Sequence, residues 1–275
     1  MTARLATHPD VAHRWPVVRD ALRATDPDLE LDPVLVDPLR GTLPPEFELM
    51  MVGLAALRRG EAEGLVTVAV PPRGDVRDVL ITSRPGSSLR SLPGGERVGL
   101  EGIRRRAFLA AHRQDLVAVP LDSMEAVVQV SAGRMHAAIV AVDAARTLDT
   151  AELGMEILDP RAWLPEPGQG IVALVGPRAH AGAAVLEHTP TRAALGAERA
   201  LLDALGGPGG RAVGAVAQAS GRSLRLWAGV ASPDGRHLVR ADVTGAVGAP
   251  EALGRSVARL LLHRGAAELL GTRGR

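Results

Sequence analysis

Residues 161–178 read RAWLPEPGQGIVALVGPR, and no other stretch restricts the fold so sharply. Pro165, Pro167, Gly168 and Gly170 break the chain, and residues 171–175 (IVALV) then run without a polar side chain. A short, uncharged, β-branched run bounded by turn residues reads as a strand buried on both faces. Two glycines around Gln169 let the backbone come close to something, either a ligand or another chain segment. The plain alternative is an ordinary loop leading into a core strand. Gly168, Gln169 and Gly170 are therefore candidate cleft or hinge residues.

A chain of 275 residues can bury a sizeable core and usually divides into two or three domains. With 46% hydrophobic residues and a formal net charge of +1, it shows no tail, no polyelectrolyte partner and no disordered composition. No apolar run approaches membrane-spanning length, and the first residues (MTARLATHPDVAHR) lack a signal-peptide core, so a cytoplasmic protein without a membrane partner is expected. Cysteine is absent, which excludes disulfides, thiolate metal sites and thiol nucleophiles. All 32 Lys-or-Arg positions are Arg, so Schiff-base chemistry and a P-loop lysine are excluded too. Loss of Asn and Cys fits a thermophilic habit; loss of Lys fits only a GC-rich genome.

Along the chain, Val11, Trp15, Val18 and Leu22 form one stripe of an amphipathic helix that Pro16 interrupts or opens. Residues 29–36 alternate like a strand, with Pro33 arguing for an edge or bulge. A helix over 47–59, closed by Gly60, and strands over 65–70 and 76–81 complete the first unit. Residues 83–96 (SRPGSSLRSLPGGE) are the best linker candidate. Strands at 97–99, 116–119 and 137–142 alternate with helices at 103–112 and 124–132, which implies a parallel sheet covered on both faces. After the return strand come a helix over 191–205, three antiparallel strands (212–217, 224–231, 237–242) with SPDG as a hairpin turn, and an amphipathic helix over 249–263 ended by Gly265. The expected fold is α/β with three domains: residues 1–83 with 171–188, residues 84–170, and an α+β unit over 189–275.

Several motifs in order resemble one family. LPEPGQGIVAL is similar to the LPAxGQGAL signature of porphobilinogen deaminase, also called hydroxymethylbilane synthase. VPPRGDVRDVLI resembles VPxREDPRDALV, RVGLEGIRRRAFL resembles RVGTSSLRRQAQL, and TRAALGAERALLDALGG resembles AERALLxxLxGG. MHAAIVAVDAARTL and the SPDG hairpin resemble the corresponding family segments, and Thr7 and Trp15 sit where the family's opening strand and helix carry Thr and Trp. The resemblance implies two periplasmic-binding-protein-like α/β domains plus a small C-terminal domain. It also implies an enzyme of tetrapyrrole and haem biosynthesis, a transferase that polymerises porphobilinogen on a dipyrromethane cofactor held by a cysteine thioether. A catalytic aspartate in an HSLKDVP loop would stabilise cationic pyrrole intermediates. Arginines of the cleft would bind acetate and propionate carboxylates, as bidentate partners do best.

The site residues depart from that pattern. Gly209 holds the cysteine's place, so no thioether can form and no cofactor is expected. The HSLKDVP segment reads as deleted between Glu63 and Gly64, leaving no catalytic residue; Glu61 and Glu63 lie at the joint. His8 and Asp10 replace an Arg and a Ser, Leu100, Glu101 and Gly102 replace T-S-S, and residues 122–128 (DSMEAVV) replace RGNVxTR. Arg104 and Arg105 remain as a carboxylate-binding pair in a helix's first turn; the alternative is that residues 104–106 form a solvated helix face. The eight histidines show no metal spacing, and two Phe and three Trp are too few for a nucleic-acid surface. The expectation is a degenerate, monomeric family member that binds porphobilinogen or another carboxylate-rich pyrrole weakly. The alternatives are an active divergent synthase and a non-catalytic interaction scaffold.

Overall fold

A computed structural model describes residues 5–25, 33–35, 47, 49–54, 57, 65–148, 150–177, 181–207 and 211–271. The first sheet has the order β2-β1-β3-β10-β4, from β1 (Leu5–Thr7), β2 (Pro33–Leu35), β3 (Leu49–Val52), β4 (Val66–Ala69) and β10 (Ala173–Gly176). β1 pairs parallel with β2 and β3, and β10 inserts antiparallel between β3 and β4. One face is covered by α1 (Trp15–Thr25), whose Val18 and Leu22 pack with Val11 against Leu5, Leu49 and Met51. Pro16 is the second residue of α1, where its missing N–H breaks no helical bond.

The helix expected over 47–59 is corrected in its first part: residues 49–52 (LMMV) are a strand, buried on both faces between β1 and β10, while Leu54 and Leu57 beyond it are helical, with Leu57 N–H on Gly53 O at 3.2 Å. Leu, Met and Ala suit a helix as well as a strand, and a short apolar run carries no period that separates them. Neighbours on both edges decide for the strand.

The second sheet has the order β7-β6-β8-β5-β9, from β5 (Asp78–Thr82), β6 (Arg97–Leu100), β7 (Val117–Pro120), β8 (Ala137–Ala141) and β9 (Gly154–Ile157). β6 is parallel to β7 and β8, whereas β5 is antiparallel to β8 and β9, so the sheet is mixed. Val79 and Ile81 point toward α3 (Ser123–Ser131), while Leu80 faces the Phe108 side of α2 (Gly102–His112), the period of two expected in a strand. The strand expected at 76–81 in the first unit thus pairs in the second sheet. Residues 83–96 join β5 to β6 within that sheet and are no linker between units. Their carbonyls at Leu89, Arg90 and Leu92 accept from Arg113.

The chain crosses between the two sheets twice, outward at residues 71–77 and back at residues 158–172. The crossing segments are bonded together by Gly74 N–H to Gly170 O at 2.8 Å. A Cβ on Gly170 would lie 2.9–3.0 Å from backbone atoms of Gly74 and Asp75, so the crossing requires glycine there. The third unit packs α4 (Thr189–Ala204) and α5 (Pro250–Leu261) on an antiparallel sheet of β11 (Ala212–Ser220), β12 (Ser223–Ala231) and β13 (Leu238–Ala246). Gly235 closes the SPDG turn with φ +70°, its N–H on Ser232 O at 2.9 Å. Gly265 (φ 98°, ψ 8°) breaks the helix where expected, and a short helical turn, Ala267–Leu269, follows across the kink.

Candidate functional site

Parallel strands end where their carbonyl sides open, and in α/β sheets that edge is where ligands sit. A cleft of about 490 Å³ lies there between the two sheets. Val11, Gly53 and Leu54, just past β1 and β3, line one side; Glu101, Ser123 and Asp143, just past β6, β7 and β8, line the other. The return segment Gly168–Gly170 forms the back wall. Gly168 (φ +84°) and Gly170 (φ +75°) both adopt the left-handed conformation, and a Cβ on Gly168 would overlap Leu54.

Arg104 and Arg105 do not present themselves to solvent. Both are buried on α2, and both bind the carboxylate of Asp78, which is itself inaccessible. Arg104 Nη2 donates at 2.8 Å; Arg105 donates through Nε at 3.2 Å and Nη2 at 3.0 Å. Trp163 Nε1 adds a bond at 2.8 Å and Gln169 Nε2 one at 3.0 Å. Burial alone would raise the Asp78 carboxyl, but the Arg104 and Arg105 guanidiniums outweigh it and hold it well below the usual carboxylate range. Gln169 Nε2 also reaches Val76 O, and its Oε1 accepts from Arg104 at 3.5 Å. The candidates Arg104, Arg105 and Gln169 are therefore brought together, around an aspartate that the sequence reading left out. The pair is neither a free carboxylate site nor a solvated face.

Other charges of the cleft are also committed. Arg14 meets Asp143 at 3.4 Å across the two units, and Asp143 accepts from Asp75 N–H at 3.2 Å and Arg146 at 3.0 Å. Glu101 flanks the N-terminus of α2 and accepts from Ser123 Oγ at 3.1 Å. Asp122 caps α3 by accepting from Glu125 N–H at 2.8 Å, so it serves its own helix. His8 is buried, with its N–H on Met51 O at 2.9 Å. Glu61, Glu63, Gly64 and Gly209, and the side chain of Asp10, lie outside the described residues.

A second buried carboxylate stands behind the crossing. Glu198 on α4 accepts from Arg73 Nη1 at 2.6 Å and Nη2 at 3.2 Å, from Gly168 N–H at 2.5 Å and from Ala217 N–H at 2.7 Å. A signal for it existed: Glu198 falls on the same helical stripe as Ala194, Ala197 and Leu201, all buried. Asp78 offered no such sign beyond opening a hydrophobic strand.

Residues 45–182 match the family described as "Porphobilinogen deaminase, dipyromethane cofactor binding domain", and residues 193–263 match "Porphobilinogen deaminase, C-terminal domain". The chain is 34% identical to the porphobilinogen deaminase of Xanthomonas axonopodis pv. citri over 98% of both chains. It is 38% identical to that of Moorella thermoacetica, over 76% of this chain and 68% of the other. A solved substrate binding domain of a putative molybdenum ABC transporter from Clostridium difficile is 12% identical, covering 67% of this chain and 88% of that one at a TM-score of 0.46. The expectation that no cofactor belongs here is overturned by the first match, which is to a dipyrromethane-binding domain. Such a group brings several carboxylates and calls for free cations. Both guanidiniums that line the described cleft, Arg14 and Arg105, are paired with aspartates, so this lining does not fit it.

Proposed function

The chain belongs to the porphobilinogen deaminase family, the hydroxymethylbilane synthases of tetrapyrrole biosynthesis, and we propose that this member lacks the standard porphobilinogen-polymerising activity. The observation that carries the proposal is the charge state of the cleft. Its lining guanidiniums, Arg105 and Arg14, are already ion-paired with Asp78 and Asp143, and Glu101 and Glu166 add negative charge beside Arg105. A substrate with two carboxylates meets repulsion where the reaction needs bidentate cations.

The place of the catalytic aspartate supports the same reading. β3 runs to Val52, and Gly53 and Leu54 turn directly into the cleft. We read residues 52–58 (VGLAALR) as the counterpart of the HSLKDVP loop, replaced by residues without a carboxylate rather than deleted downstream. Loss of one preorganised group that stabilises developing charge commonly costs a few orders of magnitude in rate. Compartment is read as cytoplasmic; no helix among the described residues is long and apolar enough to cross a membrane.

The test is complementation of a strain lacking its own hydroxymethylbilane synthase, together with porphobilinogen consumption by purified protein that shows a cooperative melt. Neither growth without haem nor consumption is expected. Growth would overturn the proposal and return the active, divergent synthase.

A further inference from the structure

A cleft between two sheets joined by two crossing segments can close by changing a few φ/ψ angles in those segments. It does so freely unless a third body touches both halves. Here the third unit touches both. On the first side, Arg73 N–H reaches Thr191 Oγ1 in the first turn of α4 at 3.0 Å, just beyond the bonds of Val70 with Glu187 and His188 that lead the chain into that helix. Residues of α4 and β11 share a hydrophobic core with Ala6, Met50 and Val175 of the first sheet. On the second side, Ala212, Val216 and Ala231 share a core with Leu80, Phe108 and Leu164. Gly214 and Gly235 let the third unit approach so closely that a Cβ would strike Leu164 or the backbone of Ala110 and Ala111.

Glu198 sits at the pivot itself. Its four accepted bonds saturate a carboxylate, and they come from three places: Arg73 on the outward crossing, Gly168 on the return crossing and Ala217 on the third sheet. Arg73 also donates through Nε to Gln169 O at 3.0 Å, so both crossing segments are tied to one side chain of α4. We infer that the third unit is a strut that fixes the aperture of the cleft, with Glu198 as its pin and Arg73 as the link to the hinge. Swinging the two sheets together would have to break an ion pair whose carboxylate is fully buried, and two buried backbone bonds. The cleft is consequently a preset cavity and not a clamp, whatever ligand it holds.

The chain has no cysteine, so two spin labels can be placed without background, on Ala24→Cys of α1 and Ser131→Cys of α3, both exposed. Distances between them are measured by double electron–electron resonance in the full chain, far below the melting transition. One narrow distribution is expected with Glu198 present. E198A and R73Q should each broaden or shift it, and residues 71–77 and 164–172 should lose protection from hydrogen exchange. A role confined to stability would lower the melting temperature and leave the distances alone. Unchanged distributions in both variants overturn the inference; if E198A does not fold, R73Q decides by the same criterion.

Discussion

Asp78 and Glu198 are both fully buried carboxylates, yet Asp78 faces two guanidiniums and Glu198 only one. Around Asp78 every donor is a side chain, from Arg104, Arg105, Trp163 and Gln169. Around Glu198 half the donors are backbone N–H groups of segments in different units. The first cluster gathers charge behind the wall of the cleft and leaves an excess cation to be held there. The second is electrically neutral and joins separate parts of the chain. The same functional group thus sets the electrostatics of the cleft in one place and its geometry in the other.

The largest effect that would break this contrast comes from D78A, which strands two desolvated guanidiniums. It should cost about 5 kcal/mol, the upper end for breaking a buried ion pair, and should shift the fluorescence of Trp163 in any folded fraction; a loss below about 1 kcal/mol in a denaturant titration would refute the charge-gathering account. E198A should cost less, about 3 kcal/mol, because Arg73 keeps some exposure and water can reach it; a cost above that of D78A reverses the ranking. G170A forces a side chain into left-handed backbone against Gly74 and should cost about 2 kcal/mol by the same titration, with no effect on Trp163.

A pH series sharpens the contrast. The folded Asp78 carboxyl is depressed, so its stabilisation is present above the ordinary aspartate value of about 4 and fades only as pH falls through the folded value. The stability gap between the native chain and D78N should therefore be constant from neutral pH to about 4 and shrink below it; a gap that closes between pH 7 and 5 contradicts the assignment. The smallest effect is reserved for R225A. Arg225 pairs with Asp242 at 2.5 Å, but both are about half exposed, so the change should stay within about 1 kcal/mol.

Much of this protein was legible residue by residue. The α1 stripe, the strand–helix alternation from 97 to 142, the SPDG hairpin and the glycines around Gln169 follow from short-range periodicity and turn chemistry, which neighbouring residues suffice to specify. Family membership followed from motifs in order. The tertiary structure alone decided that residues 49–52 are a central strand, because a short apolar run takes its state from what flanks it. It also decided that Asp78 belongs to the second sheet, and with that the fate of Arg104 and Arg105. A guanidinium's partner is fixed by which charges are desolvated together, and the Asp78 and Glu198 clusters join residues from 19 to 125 positions apart. No local pattern carries that information, so a pair read as a free carboxylate site became a pair already occupied.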